Sequence, residues 1–220
     1  MDTSRLKYPR TPHLPCSPGA TSDDKRMAQD AADTLFSGPT IVTEKMDGGN
    51  VTLARDYFHA RSTNSGTPPW ERYAKTVWGK VAHDIPAGWR VSAESLWAQR
   101  SVPYANLPSY LMVIGVWNET ELLPWTETVE WAHLLDLPTV PVLGVGESER
   151  QCLELWSTIH SPESSEGFVV RAAGAVPYRE FGNCVAKWVR PNHVRTAAAW
   201  RHSAAFPTNG LAPEAALTGS

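Results

Sequence analysis

Ile41 and Val42 lead an apolar run into Thr43-Glu44-Lys45-Met46-Asp47-Gly48-Gly49-Asn50, and the alternating Val51-Thr52-Leu53 follows. This reads as a strand, a tight Gly-Gly turn and a second strand. Arg55-Asp56 turns into Tyr57 to Arg61 and completes a short meander. Trp89 to Leu96 reads as a strand with Glu94 near its end, and Leu111 to Trp117 as an apolar strand covered on both faces. Phe168 to Arg171 and Cys184 to Val189 are late strands. Between them lie helical patterns. Trp70, Tyr73, Val77 and Val81 share one face of a helix from Pro69 to His83. A helix over Thr21 to Leu35 would take Thr21 or Ser22 as its cap, Asp23 and Asp24 in its first turn, and Met27, Ala31 and Leu35 on one face. Trp125 to Leu135 is another. Ser148 and Gln151 form a capping box for one that runs to about Ile159. A short helix to about Trp200 follows Pro191-Asn192. Residues 1 to 20, with four of the 18 prolines, read as an extended arm, 21 to 200 as the domain proper, and 201 to 220 as a loose, flexible tail. Strands grouped early and late around inserted helices predict an α+β fold with largely antiparallel sheets.

The chain has 220 residues, enough to bury a sizeable core. No apolar run approaches membrane-spanning length, and the first twenty residues lack a signal-peptide core. Cys16, Cys152 and Cys184 are odd in number and widely spaced, which fits reduced thiols in a cytoplasmic protein rather than a disulfide framework or a zinc site. Net charge is -3, which argues against a generally basic nucleic-acid surface. Its distribution adds more. Glu119 to Glu166 holds ten acids and one base, a solvated face; Arg171 to Arg201 holds six bases and one acid, which reads as a second solvated face or as a phosphate-binding stretch.

A lysine fixed at the Lys45 turn can project its amine into a pocket, and that amine is a nucleophile once deprotonated. Free lysine, with a pKa of about 10.4, is almost wholly protonated at neutral pH, so a pocket must favour the neutral form by desolvation or a nearby cation. Glu44 and Asp47 push the other way unless a metal neutralises them. Carboxylates beside such a lysine can hold Mg²⁺, which balances phosphate charge and orients a leaving group. Over these eight residues alone, a solvated lysine on a hairpin reads equally well.

Other segments extend the pattern. Lys45-Met46-Asp47-Gly48, with Asn50 five residues after the lysine, resembles the Lys-x-Asp-Gly-x-Asn nucleophile motif of ATP-dependent RNA ligases of the nick-sealing type, within the covalent nucleotidyltransferases. His59-Ala60-Arg61-Ser62 resembles the arginine motif after it, and Ser92 to Trp97 the central glutamate motif. Tyr110 to Asn118 is similar to the hydrophobic strand that follows, Glu166-Gly167-Phe168-Val169-Val170-Arg171 to the fourth motif, and Val185 to Val189 to the last, lysine-bearing one. The pieces fall in the family's order over roughly residues 40 to 195. The opening Lys7 to Leu14 also looks like the start of such ligases.

The resemblance implies a nucleotidyltransferase domain with two antiparallel sheets flanking a nucleotide cleft; such enzymes often add an oligonucleotide-binding barrel, for which the roughly 30 residues after the last motif would be too few. It implies that Lys45 takes AMP from ATP as a covalent lysyl-AMP, that AMP passes to a 5′-phosphate end, and that a 3′-hydroxyl then seals the strand. Glu44, Asp47, Gly48, Asn50, Arg61, Glu94, Ile114, Glu166, Val169 and Lys187 are the implied nucleotide contacts, with Glu94 and Glu166 also meeting Mg²⁺ or Mn²⁺. Lys187 would reach the α-phosphate, and Val169 or Val170 would wall the adenine opposite Ile114, with Trp117 nearby. The sequence departs from the family's pattern at Ile114, where an aromatic is common, at Gly49, at Ala93 and at the last motif, which carries one basic residue in place of two. Nucleic-acid ends, RNA foremost, are the implied partners, together with a protein supplying RNA binding or end healing. A DNA ligase, a GTP-using capping enzyme and a non-catalytic nucleic-acid-binding relative of ligases are the alternatives.

Overall fold

The computed structural model describes residues 5–61, 68–191 and 207–218. The short helix expected to about Trp200 lies outside them. One sheet has four strands in the order β10 (Val185–Val189), β8 (Gly167–Ala172), β1 (Thr40–Glu44), β7 (Val142–Gly144). The other has six, in the order β3 (Phe58–Ala60), β2 (Gly49–Ala54), β4 (Arg90–Ser95), β5 (Leu111–Asn118), β6 (Glu121–Leu122), β9 (Val176–Pro177). Every pairing between these strands is antiparallel. The fold is α+β, and neither sheet closes into a barrel.

Period-two alternation explains why each sheet buries one face in a core of its own and turns the other toward a cleft between them. In the four-stranded sheet Val42, Phe168, Val170, Ala186 and Trp188 point one way, into a core shared with Ala32 and Leu35 of α1 (Gln29–Phe36) and Cys152 and Trp156 of α4 (Glu149–Ile159). In the six-stranded sheet Val51, Leu53, Val91, Ala93 and Val113 form a second core with Tyr73, Val77 and Trp78 of α2 (Arg72–Val81) and Ala132 of α3 (Trp125–Leu134). The residues between these, Thr43, Val169 and Lys187 on one sheet and Asn50, Glu94 and Ile114 on the other, line a cleft. Ser148 caps α4 by accepting from the Gln151 amide at 3.2 Å, and the Gln151 side chain accepts from Glu147 N at 2.7 Å.

Three expectations need correction. The Gly-Gly turn does not close a hairpin: β1 and β2 lie in different sheets, so Lys45 sits at the crossover from one to the other. Gly48 is required there by close approach, since a Cβ would stand 2.5 Å from Ser95 O and 2.7 Å from Leu96 Cδ2. The first helix starts at Gln29, not Thr21. His13 of the arm takes the backbone partners a helix would have used, donating to Lys25 O at 2.8 Å and accepting from Met27 N at 2.7 Å. The extended arm is docked on the domain: Leu14 is fully buried, Lys187 N donates to Pro12 O at 2.9 Å, and Leu14 N donates to Lys187 O at 2.8 Å. Residues 207–212 are likewise docked rather than flexible, through Gln99 N to Pro207 O at 2.8 Å, Asn209 N to Trp97 O at 3.1 Å and Ala212 N to Leu107 O at 2.9 Å, and Pro213–Thr218 is helical.

Candidate active site

Lys45 N donates to Gly167 O at 2.9 Å, which ties the end of β1 to the start of β8. That bond brings Glu166 to the lysine, and Nζ lies 2.5 Å from Glu166 Oε2, with the two side chains 22% and 8% exposed. Gly167 makes the approach possible. It holds φ +153°, and a Cβ there would collide with the Trp188 carbonyl at 2.0 Å. Glu94 reaches the site from β4, where it pairs across the ladder with Asn50 of β2. Burial works to lower the Lys45 pKa, but the negative charges of Glu166, Glu94 and Asp47 outweigh it and hold the amine above its ordinary value. Burial pushes Glu94 up to about 7, with Lys45 and Arg100 pulling it back and Glu166 and Asp47 adding to the rise.

Asp47 is held by a loop that sequence reasoning did not single out. Its Oδ2 accepts from Ser101 N at 2.9 Å, Ser101 Oγ at 2.5 Å and Val102 N at 3.0 Å, while its own amide donates to the Tyr104 hydroxyl at 2.9 Å. Asn209 fixes that loop, accepting from Tyr104 N at 3.0 Å and donating to Leu96 O at 2.7 Å. Glu71, at the entry to α2, and Arg100 also reach the cleft, both close to Gly49. Burial raises Glu71 to about 6, against the opposing pull of Ser95 and Arg100. No periodicity marks the 96–110 segment, and only the Asn209-Gly210 turn signal hints that the chain doubles back on it.

A cleft of about 1440 Å³ is lined by all eleven residues expected there: Glu44, Lys45, Asp47, Gly48, Asn50, Arg61, Glu94, Ile114, Glu166, Val169 and Lys187. Thr43, Val169 and Lys187 form one row across the four-stranded sheet, and Ile41, Arg171 and Val185 the next. Ile114 faces them from the six-stranded sheet. Ser92 pairs with Gly115 and Ala93 with Val113, so Ile114 is the extra residue of a β-bulge, which re-aims its side chain. Trp117 does not line the cleft. It is fully buried, with Tyr8 and Phe181 packed on it and the Arg90 guanidinium 4.5 Å from its ring centroid. Glu44 lines the cleft but also lies 3.6 Å from His160 Nε2, and burial lifts its pKa to about 7.

Carboxylates are the oxygen donors that Mg²⁺ and Mn²⁺ prefer. No group of three or more acidic, histidine or cysteine side chains is arranged to hold a metal by itself among the described residues. Glu94 and Glu166 converge on Lys45, however, and Mg²⁺ is commonly held by one or two carboxylates plus substrate phosphates. The donor set therefore fits a metal that arrives with a polyphosphate. All three cysteines are unpaired. No helix among the described residues is long and apolar enough to cross a membrane.

A sequence model described as RNA ligase matches residues 38–189. No curated protein matches the chain. Among solved structures, one form of an archaeal ATP-dependent RNA ligase superposes with a TM-score of 0.54 at 18% identity, over 83% of this chain and 48% of that one. A second form gives 0.55 at 17%, over 84% and 48%. A candidate ATP-dependent DNA ligase from Aquifex aeolicus gives 0.53 at 20%, over 84% and 50%. The chain thus spans about half the length of the structures it matches, and at these identities they share its fold.

Proposed function

Because the chain belongs to the RNA ligase family, we propose that it is an ATP-dependent RNA ligase in which Lys45 carries AMP. The convergence of Lys45 with Glu94, Glu166 and Lys187 on one cleft between two antiparallel sheets carries this reading. Nζ, once it has lost its ammonium proton, attacks the α-phosphorus of ATP. The N–P bond forms, the bond to pyrophosphate breaks, and a second proton leaves the nitrogen for solvent. AMP then passes from Lys45 to the 5′-phosphate of a nucleic-acid end, and a 3′-hydroxyl displaces AMP to make the phosphodiester.

The other residues take supporting roles. Lys187 sits beside the α-phosphate, and Arg61 binds phosphate or ribose through its planar fork. Glu44, Asp47 and Gly48 shape the nucleotide site around the lysine, and Asn50 binds phosphate or the acceptor end. Ile114 and Val169 face the two sides of the adenine. Glu94 and Glu166 would hold Mg²⁺ or Mn²⁺. The ion would offset the negative charge that keeps Lys45 protonated, so the same carboxylates restrain the amine without metal and release it with metal.

The test uses ATP labelled on the α-phosphate with Mg²⁺ or Mn²⁺. Acid-precipitable label that disappears in Lys45→Ala is expected. No label, or label that survives the substitution, refutes the covalent step. GTP in parallel separates a capping reaction, and nicked duplexes and single strands of RNA and DNA identify the acceptor. A partner protein supplying RNA binding or end healing belongs to the same proposal, and its absence from complexes pulled down on RNA ends would remove it.

A further inference from the structure

β7 is an outermost strand of the four-stranded sheet and pairs with β1 alone among the described residues. The sheet's other edge is treated differently. There the arm lies along β10, with Leu14 N donating to Lys187 O at 2.8 Å and Gly19 N to Val189 O at 3.0 Å. An edge without such a cover carries backbone donors and acceptors that a further strand can satisfy.

The β7 edge is also apolar. Leu143 packs on the core beneath α4, whereas Val142 and Val145 are 48% and 53% exposed. α4 lies against the same strand: a Cβ on Gly144 would stand 3.2 Å from Leu155 Cδ2. From Leu155 a shallow groove of about 320 Å³ runs along the helix to Ile159, which is 60% exposed. Val129 and Leu134 of α3 are the other large apolar side chains exposed among the described residues, so all of them fall between Glu119 and Glu166. Single exposed apolar residues are ordinary; their confinement to one stretch that includes an uncovered strand edge marks an interaction surface.

Charge decides what fits there. The same stretch holds ten acids and one base. Glu147, two residues past Val145, and Glu154, in the groove, are both exposed, and the one base, Arg150, pairs with Glu154 at 3.6 Å. A nucleic-acid strand would bring its phosphates against these carboxylates. A second copy of this chain would set the acids of one edge against those of the other, because a two-fold contact places the same patch on both sides. A cationic protein segment meets neither obstacle.

We propose that β7 and the adjoining face of α4 dock a protein partner through an extended, Lys- or Arg-rich segment that adds a strand to the sheet. Its apolar side chains rest on Val142, Val145 and Ile159, and its cations on Glu147 and Glu154. None of these five residues lines the nucleotide cleft. The inference stands whether or not Lys45 carries AMP, and it gives the partner protein of the proposed ligase a place to bind.

The probe is a fluorescein-labelled, end-blocked heptapeptide of alternating Lys and Val, titrated with the full chain and read by anisotropy, with hydrogen exchange locating the contact. It should bind, protect the amides of residues 142–145, and weaken on the order of tenfold between about 0.05 M and 0.5 M salt. The peptide with Glu in place of Lys should not bind, nor should a version N-methylated along its backbone, which cannot add a strand. Glu147→Lys combined with Glu154→Lys should weaken the basic peptide on the order of tenfold and admit the acidic one. Val145→Asp, which removes apolar contact at the same edge, should weaken the acidic peptide's binding to that double variant. No binding of the basic peptide, protection elsewhere, indifference to the charge reversal, or equal binding of the methylated peptide overturns the proposal. A dimer of the chain, or a complex with single-stranded RNA, that protects the same amides also overturns it, in favour of that occupant. Charging with labelled ATP is scored separately: peptide binding without charging refutes the lysyl-AMP step alone, and charging without peptide binding refutes this surface alone.

Discussion

Replacing Glu166 by Gln separates the two things its carboxylate does. The Lys45–Glu166 contact is 2.5 Å between largely buried side chains, a charge-assisted hydrogen bond. Such a bond contributes about 1.5–3 kcal/mol, and its loss would raise the neutral fraction of the amine by roughly tenfold to a hundredfold. The lower end is expected, because the charges of Glu94 and Asp47 still pull on the amine once Glu166 is gone. The assay is limiting acetylation at pH 8 without nucleotide or divalent metal, with Lys45 modification measured by peptide mass spectrometry against the exposed Lys75 and Lys80. Lys45 of Glu166→Gln should be acetylated about tenfold faster than in the wild type. Charging with AMP should move the opposite way and fall, because under the proposed reaction the variant would also lack one of the two carboxylates assigned to the metal. An acetylation rate equal to or below that of the wild type would refute the claim that Glu166 holds the proton on Lys45.

Other substitutions probe the supports of the site. Asn209→Ala leaves Tyr104 N and Leu96 O unpaired, so a loss of about 1–3 kcal/mol in urea unfolding is expected, with weaker AMP charging because Tyr104 holds the Asp47 amide. Gly48→Ala forces a Cβ to 2.5 Å from the Ser95 carbonyl, and a destabilisation of about 1–3 kcal/mol should appear in the same titration. Glu44, whose pKa in the fold is about 7 against an ordinary 4.5, binds a proton more tightly folded than unfolded. Its contribution is therefore lost as pH rises through that window. Glu44→Gln should gain about 2–3 kcal/mol relative to the wild type between pH 5 and pH 8, and a difference that does not change with pH would refute the assignment.

The strands and most helices were legible because their side chains alternate or recur with a period the chain keeps to itself. Val42, Phe168, Val170 and Ala186 face one core and Thr43, Val169 and Lys187 the cleft, and that division is written in the order of residues along each strand. The crossover at Lys45 was not legible, since a strand, two glycines and a strand read as a hairpin whether or not the strands pair. Only the partners Ser95, Leu96 and Gly167, distant in sequence, reveal why the turn opens instead. The first helix was overextended for a related reason. Asp23 and Asp24 suit a helix start, but His13 competes for the backbone of Lys25 and Met27 and wins. Cleft residues carrying charge on strands, Glu94 and Lys187, stood out against apolar neighbours. Glu71, Arg100, Ser101 and Tyr104 lie on irregular or terminal segments, where no local pattern distinguishes a cleft residue from a solvated one. Ile114 was read as a departure in residue type, while the bulge that aims it at Val169 was invisible without the register of β4 and β5.

The docking of Asn209 on the 96–110 loop has a consequence for synthesis. Translation at about 5–20 residues per second delivers Asn209 roughly ten to thirty seconds after Lys45. During that interval the emerging chain already carries Lys45, but Tyr104 and Leu96 lack the side chain that holds them. The loop that grips Asp47 settles only once residue 209 has cleared the ribosome. Until then the grip on Asp47 is incomplete, and under the proposed reaction the unfinished chain would charge poorly with AMP.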